Sequence, residues 1–139
     1  LVLRRQRQMC IRDSPKSEYL TSKLENGTYS MYHQQYQMAL KLFTDIIKED
    51  PKWAEGWNKR ATLLFIMGNY EKSLDDIEKV LDLEPRHFGA LSGRAQIYLS
   101  YKQYEKAIDD LRKAKSIYPL IKSGENIRLI EKIIKEQQI

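Results

Sequence analysis

Three prolines, Pro51, Pro85 and Pro119, recur along the chain at intervals of 34 residues. A fixed period of roughly 20–50 residues indicates a chain built from repeated supersecondary units. Each such unit is too small to bury its apolar face alone, and it therefore stacks on its neighbour. The period predicts an extended stack of units, and it favours a binding scaffold over an enzyme.

The repeat extends to the residues between the prolines. Residues 54–87 and 88–121 align without a gap, and the shared identities include Arg60 with Arg94, Ala61 with Ala95, Tyr70 with Tyr104, Asp75-Asp76 with Asp109-Asp110, and Pro85 with Pro119. One period earlier, residues of similar type stand at the positions equivalent to Tyr70, Ser73, Ile77, Val80 and Pro85, namely Tyr36, Ala39, Phe43, Ile46 and Pro51. The alignment predicts three units, about 20–53, 54–87 and 88–121.

Strand signals are absent, and the pattern predicts helices over 17–31, 36–49, 53–67, 70–83, 88–101, 104–117 and 123–137. Residues 122–139 depart from the repeat, but the last helix carries an apolar stripe along one face, formed by Ile127, Ile130, Ile133 and Ile134. A terminal repeat needs a cover with one polar face, so we interpret 122–139 as a capping helix. The alternative is a basic amphipathic helix on a membrane surface, and its acidic residues Glu125, Glu131 and Glu136 argue against that. The predicted fold class is all-α: a solenoid of three antiparallel helix pairs plus a C-terminal capping helix.

Two complete units carry the motif of a known family. The middle unit presents Trp57, Ala61, Leu64, Tyr70, Ser73, Ile77, Val80 and Pro85, and the last presents Leu91, Ala95, Tyr98, Tyr104, Ala107, Leu111, Ala114 and Pro119. This alternation of large and small residues resembles the tetratricopeptide repeat (TPR) family. The first unit departs from it, with Lys23 and Ser30 where large apolar residues are expected around Gly27. Segments 55–62 and 83–93 resemble a group of bacterial TPR proteins with no settled activity.

Residues 1–14 look like the translation of a sequencing-library transposon adapter, and we exclude them from the fold. Removing their four arginines and one aspartate lowers the formal net charge from +5 to +2 and removes Cys10, the single cysteine. The remaining 20 basic and 18 acidic residues are interspersed, which argues against a nucleic-acid partner. The native sequence upstream of Pro15 is then missing, and the compartment (cytoplasmic or periplasmic) stays open.

Candidate catalytic groups are few. His33 and His87 stand alone, no His-Glu-x-x-His spacing occurs, and no glycine-rich phosphate loop is present. Asp75-Asp76 and Asp109-Asp110 repeat with the 34-residue period, which favours a solvated helix face or an inter-repeat ion pair over acid–base catalysis. We therefore predict no catalytic residue, no metal site, no cofactor and no membrane-inserted segment.

The resemblance implies where a partner would bind. TPR stacks curve, and the first helix of each pair lines a concave groove that holds extended peptides or helices. The residues in the matching register that we select as groove candidates are Leu24, Thr28, Asn58, Lys59, Thr62, Phe65, Ser92, Gln96 and Leu99. TPR domains that hold the terminal carboxylate of heat-shock chaperones use a clamp of Lys, Asn and Arg. This chain has Leu24, Thr28, Lys59, Gly89 and Gly93 at those positions, and we predict no such clamp.

Four further residues have two interpretations. Arg60 and Arg94 occupy a register that is more often apolar, and we predict that each pairs with an acid such as Glu55 or Glu84, with an anion site as the alternative. Arg86 and His87 lie in the loop between units, where His87 either caps the next helix or binds a ligand.

The function predicted from the sequence is a non-catalytic adaptor that binds a peptide or helix of a partner protein. Two alternatives stay open: a regulatory or docking part of a larger, possibly enzymatic protein, and an RNA-associated helical repeat.

Overall fold

The computed structural model describes residues 15–119 and 123–138, and the adapter-like residues 1–14 lie outside this part of the chain. Seven α-helices and no strand occur in it. They are α1 (Pro15–Tyr32), α2 (Tyr36–Glu49), α3 (Ala54–Ile66), α4 (Tyr70–Leu83), α5 (Phe88–Ser100), α6 (Tyr104–Ile117) and α7 (Ser123–Gln137). Every bound lies within two residues of the sequence prediction, and the all-α class is confirmed.

A short turn joins the two helices of each pair, and each of the three turns contains one residue with a left-handed backbone conformation. These residues are Gln34, Gly68 and Lys102, with φ values of 61°, 80° and 59°. Only glycine adopts this conformation without a steric cost, so the middle turn is the least strained of the three. The equivalent position in all three turns shows that the repeat governs backbone conformation as well as side-chain pattern.

Stacking of the pairs produces three apolar clusters rather than one core. The first is centred on Phe43 and Ile46, the second on Ile77 and Ile97, and the third on Ala107 and Leu111. Small residues at the contacts allow close approach: Ser73 is fully buried, and its Oγ donates to the Ala61 carbonyl oxygen at 2.7 Å across the middle pair. Buried contacts of this kind hold the two helices of a pair at a fixed distance from each other.

Helix α7 covers the end of the last pair. Ile127 and Ile130 are buried in the third cluster, and Arg112 of α6 donates to Glu131 of α7 at 2.6 Å. Both charged side chains are about half exposed, so burial of the isoleucines contributes most of the docking free energy. Within residues 15–119 and 123–138, no helix is long and apolar enough to cross a membrane.

Candidate functional site

The inner side of the stack is formed by the first helix of each pair. Helix α1 contacts α3, and α3 contacts α5, whereas in the described chain the second helices α2, α4 and α6 do not contact one another. A stack curves towards the side on which successive helices touch. Helices α1, α3 and α5 therefore line the concave face.

A cavity of about 200 Å³ opens between α3 and α5. Its walls carry the uncharged polar side chains Asn58, Thr62, Ser92 and Gln96, together with Gly89 and Gly93. Its remaining lining is formed by Ala61, Phe65, Ser73, Ile77, Ala90 and Ile97. None of the twelve lining residues bears a charge. We call this opening the α3/α5 cavity.

Five of the nine groove candidates lie together at this cavity: Asn58, Thr62, Phe65, Ser92 and Gln96. The other four do not line it. Leu24 packs against the first apolar cluster and Leu99 against the third, so both serve the interior.

Thr28 and Lys59 also lie away from the cavity lining. The Thr28 hydroxyl donates to the Leu24 carbonyl oxygen at 2.7 Å, one turn earlier in α1. The Lys59 ammonium lies near the carboxylate of Glu55 and helps to lower the pKa of that group. The repeat register therefore identifies residues on the inner helices, but it does not distinguish those that face the cavity from those that face a neighbouring helix.

The two arginines pair with aspartates of the same repeat unit, and the prediction of Glu55 or Glu84 as partner is wrong. In the middle unit, Arg60 donates to Asp76 through Nε and Nη2, both at 2.8 Å. Asp76 is 4% exposed, and the guanidinium lies 5.2 Å from the Trp57 ring. A bidentate pair in this setting fixes α3 to α4.

The last unit repeats the same arrangement. Arg94 donates to Asp110 at 2.8 and 2.7 Å, and this contact is the main reason that the pKa of Arg94 is raised. The pairs lie within a unit because residues 16 apart face each other across the antiparallel hairpin. The predicted inter-repeat pairing is therefore also wrong. Of the four aspartates in the two Asp-Asp pairs, Asp75 and Asp109 are exposed, and Asp76 and Asp110 are buried.

The loop between the last two units is held by His87. Its Nδ1 accepts from the Ala90 N–H at 3.0 Å, which caps α5, and its Nε2 lies 3.3 Å from Glu55 Oε1 on α3. The neighbouring Arg86 is exposed. One imidazole thus satisfies a helix N-terminus and connects two units at the edge of the groove.

The Glu55→Gln variant should lower the pKa of His87. The side-chain hydrogen bond to Glu55 is the largest cause that raises the pKa of His87 above 6.5, and the same bond lowers the pKa of Glu55 below 4.5. The pair therefore stabilises the fold most between those two values. Its contribution is lost as pH rises through the raised histidine pKa or falls through the lowered glutamate pKa.

Both side chains are partly solvated, which weakens the ion pair. Protonation at Nδ1 also removes the hydrogen bond that caps α5 at Ala90. The pair therefore contributes less than about 1 kcal/mol to the free energy of unfolding. NMR titration of the His87 ring in both proteins measures the shift. An unchanged pKa would show that the contact is absent in solution.

In residues 15–119 and 123–138, no three histidine, aspartate or glutamate side chains converge in a way that could hold a metal ion. The cavity lining offers amide and hydroxyl groups but no acid, base or thiol. The arrangement is therefore suited to hydrogen bonding and apolar contact rather than to proton transfer.

Known proteins agree with this architecture. The tetratricopeptide repeat family matches residues 54–87 in one model and 89–119 in another. A TPR repeat-containing protein of Rhizobium etli is 60% identical over 53 residues, which are 38% of this chain and 26% of that protein. This confirms the resemblance to bacterial TPR proteins. Hsp70-Hsp90 organizing protein 1 of Glycine max is 33% identical over 75 residues, covering 50% of this chain and 13% of that protein. The chain thus spans about a quarter or less of these relatives.

Solved TPR structures superpose on most of this chain. The first TPR domain of Spaghetti (RPAP3), bound to the HSP90 peptide SRMEEVD, has a TM-score of 0.80 at 18% identity and covers 86% of this chain and 95% of that domain. The MamA protein gives a TM-score of 0.73 at 20% identity, covering 81% and 62%. Such domains are in general non-catalytic modules of protein–protein interaction. The chain therefore contains tetratricopeptide repeats over residues 54–119 and is an all-α solenoid of the TPR type.

Proposed function

We propose that this chain is a non-catalytic adaptor that binds an extended peptide or a helix of a partner protein on its concave face. The observation that carries this proposal is the α3/α5 cavity, an opening lined by backbone-compatible polar groups above an apolar floor. Asn58 and Gln96 stand on opposite walls, and their amides can both donate to and accept from a peptide backbone. Hot spots of such interfaces sit in well-packed pockets, and Phe65 supplies the aromatic surface here.

The peptide class differs from that of the RPAP3 neighbour, which is bound to an HSP90 peptide. A clamp for a terminal carboxylate needs cations at the bottom of the groove. At the matching positions of α5, this chain has Gly89 and Gly93, which offer no cation. Leu24 packs into the interior, and Thr28 uses its hydroxyl within α1. Lys59 is the one cation at the matching positions, and its ammonium lies near the Glu55 carboxylate. An acidic terminus would therefore lose its hydration without meeting the cations of α5 that a clamp needs. We propose that the groove does not serve as a carboxylate clamp.

We further propose that residues 20–53 form a third unit of the same stack. Helices α1 and α2 pack as a pair, and Phe43, Ile46 and Leu63 share one buried cluster that joins this pair to the next. The groove then extends across three first helices, α1, α3 and α5. Its length suits an extended segment rather than a small molecule.

Selection from a random 12-residue peptide library displayed on phage tests the proposed function with the 139-residue chain as bait. We expect enriched peptides whose affinity falls at least about tenfold in the Asn58→Ala/Gln96→Ala double variant, because each amide loses hydrogen bonds made in a desolvated groove. The control is Asp75→Ala/Asp109→Ala, on the exposed faces of α4 and α6. Failure to enrich any peptide, or equal losses in both double variants, would contradict binding in the groove.

The same groove fits a docking role inside a longer protein, because the chain spans only part of the relatives that it matches. In that arrangement the partner is a segment that the groove recruits to the rest of the protein. Binding to RNA is not proposed, since the cavity lining has no cation and no stripe of basic and aromatic residues runs along it.

A further inference from the structure

The α3/α5 cavity is too small for most small-molecule ligands and of a suitable size for one side chain. Its volume is about 200 Å³, whereas ligand pockets usually measure about 300–1,000 Å³. A dry apolar cavity of about 150 Å³ accommodates a molecule of benzene size. One aliphatic or aromatic side chain, entering from the groove, matches this volume.

The absence of a side chain at Gly93 keeps the cavity open. An ideal Cβ at Gly93 would meet only Ile77 Cδ1, at 3.8 Å, so a side chain at this position would extend into space that is now open. At Gly89, a Cβ would lie 3.2 Å from His87 Cε1, so this position is closed by the capping imidazole. The cavity therefore depends on Gly93 in particular, and its floor is Ile77 and Ile97.

The surroundings reject charge. The lining has no ionised group, and the arginines of α3 and α5 are already paired, Arg60 with Asp76 and Arg94 with Asp110. A charged side chain entering the cavity would be desolvated with no ionised partner in the lining. Complementarity of charge thus selects a neutral ligand, and the apolar floor selects an apolar one.

We infer that the cavity is a specificity pocket that takes one medium-sized apolar side chain, of the leucine, isoleucine or methionine kind, from an extended segment of a partner protein. The inference rests on the proposed function and specifies its peptide class. Asn58 and Gln96 hold the backbone on either side of the anchor, and Gly93 leaves the room for it. An acidic or basic residue at the anchor position is excluded by the neutral lining.

The direct test is a titration of the 139-residue chain with the probe N-acetyl-leucine amide, in which ¹H–¹⁵N NMR detects binding. We expect saturable shifts at the amides of Gly93, Gln96 and Ile97 with a Kd on the order of millimolar, as a ligand of this size allows. N-acetyl-alanine amide should bind at least about tenfold more weakly because it buries less apolar surface. N-acetyl-glutamate amide and N-acetyl-lysine amide should produce no shifts at these sites. Equal binding of the charged probes, or shifts scattered over the outer helices, would overturn the inference.

Filling the pocket provides a second test. In Gly93→Leu the new side chain occupies the cavity, so probe binding should fall at least about tenfold while Tm stays equal or rises, because glycine in a helix interior is unfavourable. Ser100→Leu, at an exposed position of the same helix, is the matched control and should bind as the parent does. If Gly93→Leu unfolds, Gly93→Val, with a shorter side chain, tests the same expectation. Undiminished binding in a folded filled variant would overturn the pocket.

The two proposals fail differently. Peptides that are enriched by display but lack a common apolar residue, and that bind Gly93→Leu as well as the parent, would overturn the pocket and leave the groove function intact. Absence of any enriched peptide would overturn both. Enriched peptides that share one fixed apolar position, and whose binding is lost in Gly93→Leu, would support both.

Discussion

Replacing Asp76 with alanine should lower the free energy of unfolding by about 2–3 kcal/mol, because it strands the Arg60 guanidinium beside α4. The side chain of Arg60 is only 21% exposed, and the carboxylate accepts two hydrogen bonds at 2.8 Å. Loss of one partner leaves a charge that water reaches poorly. Urea unfolding followed by circular dichroism measures the change.

Asp75→Ala is the matched control, since Asp75 is adjacent in sequence and exposed; its effect should stay within about 0.5 kcal/mol. The repeat provides an internal replicate, because Asp110→Ala and Asp109→Ala should reproduce the same contrast. Replacing both partners, as Arg60→Met with Asp76→Leu, should recover most of the loss. Equal effects of Asp75→Ala and Asp76→Ala would show that the pair does not hold the hairpin together.

Gly27→Ala should destabilise the fold by about 1–3 kcal/mol, although alanine is the better helix former. An added Cβ would lie 2.6 Å from Cε1 of Phe43, whose side chain is fully buried in the first cluster. The ring is fixed by its neighbours, so either α1 or Phe43 must move.

Gly93→Ala is the same chemical change at a position with room, and it should stabilise by up to about 1 kcal/mol. Thermal and urea unfolding of both variants give the comparison, and opposite signs are the expected result. A stabilising Gly27→Ala would mean that α1 does not pack on α2 as described, and the first pair would then not be part of the stack.

Much of this fold could be predicted from the sequence because two complete units carry the same residue pattern. Pro51, Pro85 and Pro119 set the period, and the alternation of Ala61 with Leu64 or Ala95 with Tyr98 sets the helix faces. Helix bounds followed to within two residues because each turn recurs at the same place. The weak first unit folds as a pair despite Ser30, which is buried, because Gly27 still allows Phe43 to approach.

The site was less predictable because the burial of a side chain and the identity of its ion-pair partner depend on the tertiary structure. The register places Leu24 and Leu99 on the helices that line the concave face. Both side chains nevertheless pack against the apolar clusters between helices rather than facing the groove. The partners of the arginines were missed although a signal existed. Arg60 with Asp76 and Arg94 with Asp110 share both the separation of 16 residues and the 34-residue period, and residues facing across a hairpin carry that signature.

Binding of a partner segment between α3 and α5 is tested most directly by ¹H–¹⁵N chemical-shift mapping of the 139-residue chain with a display-selected peptide. We expect the largest shifts at Asn58, Thr62, Phe65, Gly93 and Gln96, with little change on α2, α4 and α6 outside the cavity floor. Shifts concentrated on those second helices, or on α7, would contradict binding on the concave face.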